Sequence, residues 1–101
     1  MLSADIQPGK DDRLEISGDL NFDSVAALWE RCRARFGERE ALDVDLGAVQ
    51  RSDSAGVALL VACMRLARQS GKKVRFFNIP EQMLALARVS SLDQVLPLQR
   101  D

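Results

Sequence analysis

Apolar residues fall at every second position in Arg13-Leu14-Glu15-Ile16-Ser17, then at every third or fourth position from Val25 through Leu28 and Cys32 to Phe36. The first rhythm suits a half-buried strand and the second one face of a helix. Lys10-Asp11-Asp12 reads as a turn, so the short segment around Ile6 can pair with the first strand as a hairpin. Asn21 or Asp23 can cap the helix, and Gly37 ends it. Alternation returns in Leu42-Asp43-Val44-Asp45-Leu46, a buried strand, and a polar loop is expected from Gly47 to Asp53. A second helix is expected from Ala55 to Ser70 with Gly71 at its C-terminal cap, followed by a strand at Val74-Arg75-Phe76-Phe77. Pro80 suits the first turn of a third helix, Glu81 to Val89, which turns Met83, Leu84, Leu86 and Ala87 inward. In the tail, Val95, Leu96 and Leu98 are expected to add a last strand or a packed extension. Strands and helices alternate after the hairpin, which implies an α/β fold with a small mixed β-sheet backed by helices. The length allows one domain, residues 1–101.

The second helix carries the strongest functional signal. At roughly 100° per residue its core face holds Leu59, Leu60, Cys63, Leu66 and Ala67. Its other side holds Val57, Ala58 and Val61 in the first half, then Arg65, Arg68 and Gln69. An ordinary surface helix is polar along its whole outer side, whereas this one is apolar just where it leaves Asp53-Ser54-Ala55-Gly56. Ser54 is well placed to cap the helix through its hydroxyl. An apolar patch beside a polar loop marks a partner surface, unless another part of the chain covers it. Trp29 lies on the shoulder of the first helix beside Phe22, where it can pack on the core or anchor an interface.

Composition narrows the function further. Lysine plus arginine number 14 against 15 acidic residues, for a net charge of −1. Nucleic acid is not an expected partner of such a balance. Arg31, Arg33, Arg35 and Arg39 are diluted by Glu30, Glu38 and Glu40, as on a solvated face. Histidine is absent, the only lysines are Lys10, Lys72 and Lys73, and no phosphate-binding glycine loop occurs. The commonest general base is therefore missing, and the chain is not expected to be an enzyme or to hold a cofactor. Cys32 and Cys63, without histidine, make a poor metal site and are expected to be reduced core thiols. Met1 to Ile6 lacks the charged and apolar regions of a secretory signal. The apolar run Ala55 to Met64 is about half of a bilayer span, so neither secretion nor direct membrane insertion is expected.

Taken together, Asp45-Leu46 ending a strand, Asp53-Ser54-Ala55-Gly56 opening an aliphatic helix, Gly71-Lys72-Lys73-Val74 and the Pro80 helix start resemble the STAS domain family over nearly the whole chain. Two classes within that family are similar to this sequence. The small STAS subunit of the Mla phospholipid-trafficking ABC transporter is matched at Ser17-Gly18-Asp19-Leu20, Leu28-Trp29-Glu30, Gly56-Val57-Ala58-Leu59-Leu60 and the brief ending at Val95-Leu96-Pro97. That resemblance implies a cytoplasmic, non-catalytic adaptor that binds the transporter's ATPase subunit in support of outer-membrane lipid asymmetry. Anti-anti-sigma factors are the other class, and they imply a contact with an anti-sigma factor kinase that is switched by phosphorylation of Ser54. Either class implies a partner surface of Asp53, Ser54, Val57, Ala58 and Val61, with Trp29 extending it. Ser54 stands where the transporter subunits carry threonine, and Ser91 where many STAS domains carry glycine.

Overall fold

The computed structural model describes residues 4–100. Half of the N-terminal stretch read for a secretory signal, Met1 to Ser3, lies outside the described residues. Strand β1 (Asp5–Pro8) leads through a short 3-10 turn (Lys10–Asp12) into β2 (Leu14–Leu20). There follow α1 (Phe22–Gly37), β3 (Ala41–Ser52), α2 (Ser54–Gln69), β4 (Lys73–Phe77) and α3 (Glu81–Val89). A 3-10 turn (Leu92–Gln94) and the two-residue β5 (Leu98–Gln99) complete the chain. The sheet order is β1-β2-β3-β4-β5, with β1 antiparallel to β2 and the remaining pairs parallel.

Because the parallel strands follow sequence order, all three crossovers step the same way. With the usual right hand they lay their helices on one face. The burial pattern agrees. Leu14, Ile16, Leu42, Val44, Leu46 and Phe76 are almost fully buried beneath the helices, while Glu15, Asp43 and Arg75 point to the other face. Helix α2 lies between α1 and α3 and packs on β3 and β4. Its underside supplies Leu59, Leu60, Cys63 and Ala67 to the core.

Several local expectations change. The stretch expected as a polar loop, Gly47 to Asp53, is strand as far as Ser52 and pairs with the second half of β2. Two register shifts in that pairing place Leu46, Val49 and Ser52 inward at a spacing of three, which breaks the alternation of a regular strand. Asn21 is the cap of α1, accepting from the Asp23 and Ser24 amides while the Ser24 hydroxyl accepts from the Asn21 amide. Gly37 stays inside α1, and Glu38 takes the capping position. Pro80 precedes α3 as its N-cap. Gly71 follows the Ser70 cap of α2 at φ +67°, where a side chain would be strained. Ser91 adopts the same left-handed region at φ 57°, the conformation for which glycine is the usual residue. In the tail Leu96 is buried and Leu98 pairs with Phe76, but Val95 is exposed.

Candidate functional site

The site begins where β2 and β3 end side by side. The Asp53 amide donates to the Leu20 carbonyl at 3.0 Å, which ties the start of α2 to the end of β2. Asp53, not Ser54, caps the helix: its carboxylate accepts from the Ala55 amide at 2.7 Å. An acidic cap also suits the positive end of the helix dipole. Gly56 lets the first turn of α2 settle onto the strands. A Cβ there would collide with the Ser52 hydroxyl and stand 3.0 Å from Leu20 Cβ. The Asp-Ser-Ala-Gly sequence is thus a junction with a separate task for each residue. Ser54 becomes the first helical residue, exposed, and among the described residues nothing is hydrogen-bonded to its hydroxyl.

From Ser54 a groove of about 820 Å³ runs along the outer side of α2 as far as Gln69. Trp29 and Arg33 of α1 line one side, and Leu86 and Val89 of α3 the other. Ala58 is exposed on its floor, and Val61, Ala62 and Trp29 are half-buried. Five of the six residues expected at the partner surface therefore line one groove: Ser54, Val57, Ala58, Val61 and Trp29. Asp53 does not line it, because its carboxylate is turned back to the helix amide. Two side chains sit differently from expectation. Val57 is only 5 % exposed and belongs to the packed base of the groove rather than to its open side. Leu66 leaves the core face, half-buried, and lines the groove.

The far wall was not expected. Leu86 is half-buried rather than a core residue, and Val89, at 86 % exposure, is the most exposed large apolar side chain among the described residues. A valine in the last turn of a helix, just before Ser90-Ser91, is the only signal in the sequence, and it reads equally well as a fraying end. Phe22, beside Trp29 on the helical wheel, is 78 % exposed but does not line the groove.

Several other charged groups and both thiols are engaged within the fold. On the helix-free face of the sheet, Arg13 meets Asp45 at 3.3 Å, with both side chains nearly buried, and its guanidinium lies 3.7 Å from the Phe77 ring centroid. Asp45 also accepts from the Gly47 amide and from Asn78. Arg75 forms a two-pronged pair with Asp43, which holds the guanidinium protonated above its usual range. Of the arginines read as a solvated face, Arg31 donates to the Ala4 carbonyl and pairs with Asp5, and Arg39 donates to the Asp12 carbonyl. Cys32 and Cys63 are buried and free. A hydrogen bond with Cys32, helped by burial, pushes the Cys63 thiol well up. Among the described residues no cluster of potential metal ligands occurs, and no helix is long and apolar enough to cross a membrane.

Residues 3–98 match the family model described as Mlab, STAS domain. The intermembrane phospholipid transport system binding protein MlaB of Escherichia coli (strain K12) is 33 % identical over 91 residues, covering 85 % of this chain and 88 % of the relative. The protein of the same name from Shigella flexneri matches with the same figures. Among solved structures, the anti-sigma factor antagonist SpoIIAA in its unphosphorylated form superposes with a TM-score of 0.74 at 14 % identity, over 98 % of this chain and 88 % of that one. An anti-sigma factor antagonist from Mycobacterium paratuberculosis gives 0.75 at 18 %, over 97 % and 85 %. At those identities the likeness is one of fold.

Proposed function

The chain belongs to the STAS domain family, and from that premise we propose that it is a non-catalytic adaptor that binds the cytosolic ATPase subunit of a phospholipid-trafficking ABC transporter. The similarity to the two MlaB proteins supports the transporter, and the groove along α2 supports the mode of action. The single observation that carries it is the open apolar floor next to Ser54. Trp29, Ala58 and Val61 are left partly in water on a fold whose core is otherwise closed. Covering that floor with a partner recovers roughly 25 cal/mol for each Å² of apolar surface removed from water. Ser54 offers a hydroxyl at the groove's end that has no internal partner to give up, while Asp53 acts indirectly by fixing the helix that presents it. The adaptor then sits at the cytosolic face of the inner membrane through its partner, without inserting into lipid itself.

The experiment is co-purification with the ATPase and permease subunits. The wild-type chain is expected to be retained by the ATPase subunit, and Val61→Glu to be lost from it while keeping a near-native melting temperature. A glutamate at half-buried Val61 is tolerated while the groove is open, but it is desolvated without a partner once the groove is covered. If Val61→Glu unfolds the domain, the valine is internal packing; if it folds and still binds, the partner sits elsewhere.

A second reading is favoured by the exposure of Ser54 and the fold shared with anti-sigma factor antagonists. In it the same groove receives an anti-sigma factor kinase, and phosphorylation of Ser54 places two negative charges in the contact and ends it. Retention by such a kinase, with incorporation of phosphate that Ser54→Ala abolishes, would select this reading over the transporter.

A further inference from the structure

We infer that the groove receives one amphipathic helix of the partner, laid along α2, with acidic side chains seated over Arg33 and Arg65. This rests on the docking reading above and adds the shape and charge of what docks.

The two ends of the groove differ. The end near Ser54 is apolar, and the end near Gln69 carries Arg33 and Arg65. Among the described residues no carboxylate lines it at either end. In a chain with net charge −1, a groove with two cations and no anion is a local reversal. Arg13, Arg31, Arg39 and Arg75 are each held by the chain's own carboxylates or carbonyls. Arg65 has no hydrogen bond or ion pair among the described residues. Arg33 has only Glu30 at 3.6 Å, with both side chains more than half exposed, a pair that is readily exchanged. The complementary partner surface is apolar at one end and acidic at the other.

Shape selects a helix. Ser54, Ala58 and Ala62 follow at intervals of four, so small side chains form a low ridge along α2 on which another helix axis can approach to about 8 Å. Trp29 stands on one side of that ridge and Leu86 on the other. The 16 residues of α2 span about 24 Å, which matches a partner helix of about four turns. An added strand would need unpaired backbone groups, and the groove is walled by helices whose amides and carbonyls are already bonded within themselves. Ala58 and Arg65 are two turns apart, so the partner's carboxylates belong about two turns from the residue over Ala58.

The purified ATPase subunit of the chain's own transporter is titrated with the full chain at low and high salt. Arg33→Glu plus Arg65→Glu is expected to weaken binding by about 100-fold at low salt and to flatten the salt dependence. Arg51→Glu, exposed on β3 outside the groove, is expected to bind within about twofold of wild type. A photo-cross-linking residue at position 58 should mark a single partner helix at spacings of three, four and seven. Lysine replacement of the partner acids so located should restore binding to the doubly reversed chain. Two results overturn the inference while leaving the docking reading intact: wild-type affinity in the double reversal when Val61→Glu does not bind, or cross-links confined to a loop. Failure of the wild-type chain to bind the ATPase subunit would remove the docking reading first and this inference with it.

Discussion

The two faces of the sheet handle their exceptions to the hydrophobic rule in opposite ways. On the helix-free face, charged groups are nearly buried, yet Arg13, Asp45, Gly47, Asn78 and Phe77 answer one another. Among the described residues no buried side-chain polar atom lacks a partner. Over α2 the exceptions are apolar groups left in water, with Trp29, Ala58 and Val61 open and Val89 more exposed still. The first face is chemically rich and closed, and the second is chemically plain and open. Interactions completed within the chain contribute to folding, whereas surface that only an outside molecule can cover points to binding. In this protein the charged cluster is completed within the chain, and incomplete burial is what singles out the candidate site.

That contrast fails most visibly if a residue is moved from one category to the other. Leu60, one position before Val61, is fully buried. Leu60→Glu places an unpaired carboxylate in the core, at a cost comparable with the roughly 5–15 kcal/mol of a small domain's whole stability. No folded protein is expected, by circular dichroism or by solubility. A folded Leu60→Glu would mean that the open and closed sides of α2 have been assigned the wrong way round. The next largest effect belongs to the sheet face. Asp45→Ala removes the carboxylate that faces Arg13 and leaves the Gly47 amide without its side-chain acceptor, and a loss of about 3 kcal/mol is expected in urea denaturation. The fraction that remains folded should bind the partner with unchanged affinity, because the cluster and the groove lie on opposite sides of the sheet. Weakened binding at full folding would make the charged face part of the interface.

Why the sequence disclosed some of this and not the rest is visible in β3. Its first half alternates cleanly, Leu42, Val44 and Leu46 against Asp43 and Asp45, and was legible. Its second half turns Leu46, Val49 and Ser52 inward at a spacing of three because the strand bulges twice against β2, so no period of two survives to be read. The groove was legible for the residues that share one helix. Ser54, Ala58 and Val61 follow from the wheel of α2 alone, and Trp29 from its place on the shoulder of α1. The opposite wall, Leu86 and Val89, depends on how α3 docks beside α2, and that packing has no local signature. Val57 was misread because the wheel fixes a direction but not what stands there: its side chain points toward the shoulder of α2, where neighbouring side chains cover it.

Smaller effects separate the two adjacent residues at the junction. Asp53→Ala removes the cap of α2 and should cost about 1 kcal/mol of stability. Ser54→Ala removes a hydroxyl with no internal partner and should stay within about 0.5 kcal/mol of wild type. Affinity for the partner should rank them in reverse, with Ser54→Ala the more damaging at equal folding. Equal stability losses from both would mean that the two residues share the capping task and that Ser54 is not reserved for binding.

The smallest effect lies beneath the groove and vanishes at neutral pH. Cys63 is on the closed side of α2, and its contact with Cys32 together with burial favours the protonated thiol in the native state. In the unfolded chain the same thiol ionises in the ordinary range, near about 8.5. Below that value both states hold the proton and stability does not depend on it. As pH rises through that value the unfolded chain releases its proton while the native protein keeps it, so stability falls until the native thiol also titrates. Melting temperatures of wild type and Cys63→Ala, compared between neutral and alkaline pH, isolate the contribution, because the cavity left by alanine lowers both of its values alike. The wild-type protein should lose more on going alkaline than the variant does. Parallel lines would mean that the thiol is not held protonated. Together with fast thiol labelling of the native protein at neutral pH, they would mean that the core beneath the groove is as open as the groove itself.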